Sequence, residues 1–237
     1  MNVSNRVAFV AGGTGGLGRA VCLEFLQAGA RVVVTYRRMS EYESLVAEAG
    51  GAQSRLSGAN VDVTDEAAVS QLVQNIVAEQ SRLDILVNTV GGYAGGRSLW
   101  ETDAKTYDQM MNLNFKAGYV LARAVIPAMM RQSRGWIVNV ASKAAFGRSP
   151  GAALYSASKA ASLMLFDSLA EEVKSSAINI NTIVPSIFDT LANRQAMSSA
   201  DFAKWPKPAE IARVVRFLCS EDASVIRGAA IPVYGRT

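Results

Sequence analysis

Short runs of consecutive apolar residues alternate along the whole chain with stretches whose apolar positions recur every three to four residues. The runs at 7–10, 31–35, 60–63, 84–88, 136–140, 178–184 and 230–233 read as strands, being short, apolar and rich in β-branched residues. Helical periodicity covers 16–28, 40–49, 65–79, 152–174 and 209–219, and helices fill much of 103–132. Strands apolar on both faces need cover on both sides, and strands alternating with helices pair in parallel. Right-handed crossovers then predict an α/β fold, a doubly wound parallel sheet of about seven strands with helices on both faces. No repeat or low-complexity segment interrupts the pattern, so 1–237 reads as a single domain. One long irregular stretch, about 185–208, contains Ile187, Phe188, Leu191, Met197, Phe202 and Trp205. That apolar content suits a lid over a site better than a disordered tail.

Composition narrows the function. The 237 residues are 50% hydrophobic and 19% charged with a net charge of +4, which suits a well-buried, water-soluble protein. No apolar stretch approaches the ~20 residues of a membrane span. The first strand begins so near the first residue that it leaves no room for a signal peptide, and a cytoplasmic location with no membrane partner is expected. Basic residues are scattered, which argues against nucleic-acid binding. Cys22 and Cys219 lie in apolar helical contexts and read as buried thiols. With no histidine and no cysteine cluster, no metal site is expected.

The turn Ala11-Gly12-Gly13-Thr14-Gly15-Gly16-Leu17-Gly18 leaves the first strand and opens the first helix. Glycines allow a tight turn and close backbone approach, and a helix N-terminus offers free N–H groups to a pyrophosphate. The glycines at 12, 16 and 18 are spaced more widely than G-x-G-x-x-G, and a turn without a ligand is the competing role. The second strand ends at Arg37-Arg38, with no acid for a ribose 2′-hydroxyl. Arg37 would suit the 2′-phosphate of NADP(H), preferred over NAD(H); a solvated surface pair is the competing role. Asp62-Val63 suits contact with an adenine, and Asp62 equally suits a helix cap. Asn88 leads into Gly91-Gly92, either a turn that brings backbone against a ribose or a plain turn.

Tyr155-Ser-Ala-Ser-Lys159 places a phenol and an ammonium on one helical face, at i and i+4. A nearby cation favours the tyrosinate and so tunes a proton donor whose ordinary pKa is near 10. The spacing alone also fits a surface pair. Ser142 upstream suits either a group that orients a reacting oxygen or a helix cap.

Taken in order, Gly12-xxx-Gly16-x-Gly18, Asp62-Val63, Asn88-Thr-Val-Gly91, Asn114, Ser142, Tyr155-xxx-Lys159 and Pro185 with Thr190 resemble the short-chain dehydrogenase/reductase (SDR) family over nearly the whole length. The resemblance implies a Rossmann-type fold with the nicotinamide at the carboxyl ends of the strands. It implies that Tyr155 protonates a carbonyl oxygen as hydride arrives, that Lys159 binds the nicotinamide ribose and lowers the pKa of Tyr155, and that Ser142 orients the carbonyl. Asn114, preferred to Asn112, would hold a water linking Lys159 to solvent. Gly12, Gly16, Leu17, Gly18, Arg37, Asp62, Val63, Asn88, Gly91, Pro185, Ile187 and Thr190 would bind the cofactor, Thr190 at the carboxamide. A homotetramer or homodimer is also implied. The chain departs from the family pattern at Thr89-Val90, at Ser186 in place of a glycine after Pro185, and at Tyr234-Gly235-Arg236. Glycine at 186 would allow a positive φ that serine disfavours.

Four segments also resemble dihydropteridine reductase, a divergent branch of that family: 90–96, 142–145, the lid at 189–205 and 234–237. That branch as a rule lacks the serine and prefers NADH, whereas Ser142 and Arg37 are present here. Under this resemblance Tyr93, Phe146, Ile187, Phe188 and Met197 would shape a substrate pocket, though core packing suits any of these aromatics as well. Arg194 would bind an anionic substrate group or pair with Asp201. The expected activity is NADPH-linked reduction of a small-molecule carbonyl, a ketone or 3-oxoacyl compound, to an alcohol. The alternatives are C=N reduction of a dihydropterin and NADP binding without turnover.

Overall fold

The computed structural model describes residues 2–147 and 149–237. Its strands are β1 (Val7–Ala11), β2 (Arg31–Tyr36), β3 (Leu56–Asn60), β4 (Ile85–Asn88), β5 (Gly135–Val140), β6 (Ile178–Pro185) and β7 (Ala230–Val233). They form one seven-stranded sheet in the order β3-β2-β1-β4-β5-β6-β7, parallel throughout. The helices are α1 (Gly16–Gln27), α2 (Met39–Ala49), α3 (Glu66–Gln80), α4 (Ala104–Met111), α5 (Ala117–Arg131), α6 (Ala153–Glu172), α7 (Leu191–Ala196) and α8 (Pro208–Leu218). The strand order turns at the β1–β4 pair, so the loops leaving those strands part and open a crevice at their carboxyl ends.

The period of two along each strand splits the core into two layers. Ala8, Val10, Val32, Val34, Ile85 and Val87 face the layer that receives Val21 and Phe25 of α1, Leu45 of α2 and Ile211 and Val215 of α8. Phe9, Val33, Leu86 and Ile137 face the other layer, packed by Val69 and Val73 of α3, Leu121 and Val125 of α5 and Phe166 of α6. Both faces are apolar because both are covered, as the continuous hydrophobic runs require. At one close crossing, a Cβ on Gly118 of α5 would meet the Phe166 ring at 3.0 Å.

The structure moves some expected boundaries. The third strand is Leu56–Asn60, not 60–63; its register with β2 runs from Val32↔Leu56 to Tyr36↔Asn60. It is an edge strand of mixed polarity, mostly exposed beyond Leu56, so it lacks the apolar run that marks the inner strands. The helical stretch at 103–132 is interrupted by a π-helical turn, Asn112–Lys116. The lid is largely irregular but holds α7 and a 3₁₀ turn, Phe202–Lys204. Among the described residues, no helix is long and apolar enough to cross a membrane.

Candidate active site

The glycine-rich turn leaves β1 with Gly12 at φ +76°. Gly15 caps α1 without a side-chain bond, in contrast to α3, where the Asp65 carboxylate accepts from the N–H groups of Ala67 and Ala68. The first N–H groups of α1 are therefore left for an anion. A Cβ on Gly18 would run into the Gly12 carbonyl and sit 2.7 Å from Thr89 Oγ1, and one on Gly16 would meet Thr190 Cγ2 at 2.8 Å. The absent side chains let the turn pack closely against Thr89 and the start of the lid. Leu17 points into the core and offers only its backbone.

Beside the turn lies a cavity of about 230 Å³. Thr35, Tyr36 and Arg37 line it from β2 and its loop, Val61 and Val63 from the loop after β3, and Val90 and Gly91 from the loop after β4. Tyr36 stacks on Tyr42 with ring centroids 4.8 Å apart, giving the cavity a firm wall. Asp62 is not in the lining; its Oδ1 accepts from the Thr64 N–H at 2.9 Å and hydroxyl at 2.8 Å. These bonds hold its carboxyl below the usual range, with Arg37 and Lys116 adding to them. The helix cap proposed for Asp62 belongs to Asp65.

Glu41, in the first turn of α2, went unnoticed in the sequence and also lines the cavity. Its carboxylate pairs with Arg38 and accepts from Thr14 Oγ1 at 3.2 Å. The Arg38 bond holds its carboxyl low. An acid at the start of the helix after β2 was the available signal, but only the fold brings it against the glycine turn. Thr89, a departure from the family pattern, donates through Oγ1 to the Ala11 carbonyl at 2.7 Å, tying β4 to the same turn. Asn88 is buried; its Nδ2 donates to Asn139 Oδ1 at 3.0 Å and its Oδ1 accepts from the Val90 N–H.

On the far side of β4, α6 carries Tyr155 and Lys159 one turn apart. Lys159 is 5% exposed and donates to the Val140 carbonyl at 3.0 Å. Burial pushes its pKa down from 10.5 to about 8. Tyr155 moves up: burial raises it, a hydrogen bond with Ser142 opposes, and Tyr93 adds to the rise. Burial thus favours the neutral phenol. Tyr93 packs edge-on to Tyr155 with centroids 5.0 Å apart and an interplanar angle of 77°. Ser142 lies against Tyr155, opposing that rise, and accepts from the Ala144 N–H as the cap of a short 3₁₀ turn.

The π turn brings Asn114 inward, while Asn112 stays exposed. Asn114 Oδ1 accepts from the Gly92 N–H at 2.9 Å, and Nδ2 donates to the Gly92 carbonyl and to Ser158 Oγ, each at 3.0 Å. A Cβ on Gly91 would sit 2.9 Å from Lys159 Nζ and 3.0 Å from Asn114 Oδ1. Glycine at 91 thus keeps open a polar gap between the ammonium and the amide. Of the expected substrate residues, Tyr93, Phe146 and Met197 are exposed, whereas Phe188 packs against the core. Arg194 pairs with Asp189, Nε to Oδ1 at 2.5 Å and Nη2 to Oδ2 at 2.7 Å, and not with Asp201, which meets Lys204 instead. Pro185 ends β6 and Thr190 caps α7.

A family model described as short chain dehydrogenase matches residues 6–201. The chain belongs to the short-chain dehydrogenase family. As such it is an NAD(P)-dependent oxidoreductase of the CH–OH/C=O class. It is 30% identical to a 3-oxoacyl-acyl-carrier-protein reductase of Thermotoga maritima, over 99% of this chain and 98% of that protein. It is 31% identical to dehydrogenase/reductase SDR family member 4 of Homo sapiens, over 99% of this chain and 88% of that one. The NADP-bound structure of ElxO superposes with a TM-score of 0.91 at 27% identity, covering 97% of each chain.

Proposed function

We propose that this short-chain dehydrogenase reduces a ketone or 3-oxoacyl carbonyl to the alcohol with NADPH. One observation carries the reading: the Tyr155 phenol meets Ser142, with the buried Lys159 one turn along the same helix. The cofactor supplies the hydride. Ser142 holds the carbonyl oxygen, and Tyr155 gives its proton to that oxygen as negative charge develops there. Lys159, held by Val140 beside Asn114 and the open side of Gly91, orients the ribose and stabilises the tyrosinate left behind. Gly12, Gly16 and Gly18 hold the diphosphate, and Arg37 takes the 2′-phosphate. The lid excludes water. The relatives named as 3-oxoacyl reductase and bound to NADP support this reading. A cytoplasmic enzyme that assembles with copies of itself belongs to the same proposal, and the mass in solution tests the assembly.

Tyr155→Phe is expected to lower turnover of NADPH with a 3-oxoacyl thioester by at least about a hundredfold while leaving NADPH binding nearly intact. Turnover unaffected by the change would sink the mechanism. A second reading, C=N reduction of a flat pterin-like substrate, is favoured by the exposed Tyr93 ring set edge-on against Tyr155. Faster NADPH oxidation with quinonoid dihydropterin than with any ketone or thioester in a panel would establish it instead.

A further inference from the structure

Two of the departures from the family pattern, Ser186 and Tyr234-Gly235-Arg236, meet in space, joined by Thr237. β7 runs beside β6 as far as the pair Pro185↔Val233. Where the ladder ends, the Ser186 hydroxyl takes over: Oγ lies 3.1 Å from the Tyr234 carbonyl and shares a hydrogen bond with Thr237 Oγ1. Thr237 folds back on the same carbonyl through its N–H at 3.2 Å and its hydroxyl at 2.7 Å. The turn so closed has Gly235 at φ +62°, a conformation open to glycine. A Cβ there would meet Pro206 Cδ at 2.8 Å.

The same turn reaches the other end of the lid and the catalytic loop. The Arg236 N–H donates to the Lys204 carbonyl at 3.1 Å, and the two lid ends are tied by the Asp189 N–H donating to the Pro206 carbonyl at 2.9 Å. Lys143, next to Ser142, places its ammonium 4.9 Å from the Tyr234 ring centre and donates to the Thr237 carbonyl at 3.5 Å. Four residues therefore touch the start of the lid, its end and the loop that carries Ser142. Ser186 itself is not among the residues with positive φ, so serine costs no backbone strain and contributes a hydroxyl that glycine lacks.

We propose that residues 234–237 are a strap that sets the lid against the Ser142 loop, with Ser186 and Thr237 as positioning residues for the carbonyl substrate. The substrate part rests on the carbonyl-reductase reading above; the strap part does not. If one wall of the pocket is held by these hydroxyls, losing either loosens the lid and weakens carbonyl binding more than it slows chemistry.

The test uses the full chain with saturating NADP and the variants Ser186→Ala, Thr237→Val and Thr237→Ser. Trypsin cleavage after Arg194 and Lys204, measured against cleavage outside the lid, reports lid opening. The KM and kcat for acetoacetyl-CoA report substrate positioning. Ser186→Ala and Thr237→Val are expected to raise lid cleavage about fivefold, the effect of one lost hydrogen bond. The KM is expected to rise by a similar factor with kcat nearly constant, and Thr237→Ser, which keeps the hydroxyl, to restore both. Lid cleavage unchanged in both hydroxyl-deleted variants overturns the strap. Faster cleavage with an unchanged KM overturns the positioning role. If the wild type turns over no carbonyl, the carbonyl reading fails, and the cleavage arm still decides the strap.

Discussion

Lys159 shows how a single residue's environment serves function at a cost in stability. Its ammonium is buried among neutral groups, and its pKa falls to about 8 from 10.5. The unfolded chain thus binds this proton more strongly than the folded one. Stability therefore rises with pH between those two values, and the penalty is present in full below about 8. Lys159→Met is expected to abolish turnover and yet to stabilise the protein at pH 7 by about 1–3 kcal/mol. The gain should shrink by pH 10, as urea unfolding at the two pH values would show. A variant no more stable than wild type at pH 7 would contradict the assignment. Glu41 poses a second question at this scale, since it sets a negative charge in the cavity that Arg37 also lines and pairs with Arg38. Glu41→Gln should tighten NADPH binding relative to NADH, and Arg37→Ala should weaken NADPH binding about tenfold. Fluorescence titration with both cofactors checks each, and an unchanged ratio in both variants would remove Arg37 from the 2′-phosphate.

Among the elements, the turn between β1 and α1 combines the least side chain with the most constraint. Gly18 lies so close to the Gly12 carbonyl and Thr89 Oγ1 that any Cβ must displace one of them. Gly18→Ala is expected to destabilise the fold by about 1–3 kcal/mol through overpacking, and to weaken NADPH binding about tenfold because the displaced backbone would be the diphosphate cradle proposed above. Thermal unfolding and titration together check this, and unchanged values in both would show that the turn relaxes freely. The π turn at Asn112–Lys116 is the corresponding feature on the catalytic side. It departs from the α-helical phase and turns Asn114 into the protein against Gly92. Periodicity placed a helix here, but a local change of pitch leaves no mark in a hydrophobic pattern.

For the whole molecule, the doubly wound sheet was legible in the sequence because inner strands must be apolar on both faces when helices cover both. The phenol–lysine pair was legible because a helix has a fixed repeat, and the glycine turn because only glycine permits that backbone. The bounds of the polar edge strand β3 escaped, since an exposed edge does not need an apolar run. Tertiary structure alone decided pairings between side chains that are distant along the chain or open to several partners. Arg194 chose Asp189 over Asp201, Phe188 turned to the core, Glu41 reached Thr14, and Ser186 met Thr237. The division has a physical reason. Backbone periodicity and glycine conformation are local constraints written residue by residue, whereas an ion pair or a hydroxyl bond depends on where the whole chain brings its loops.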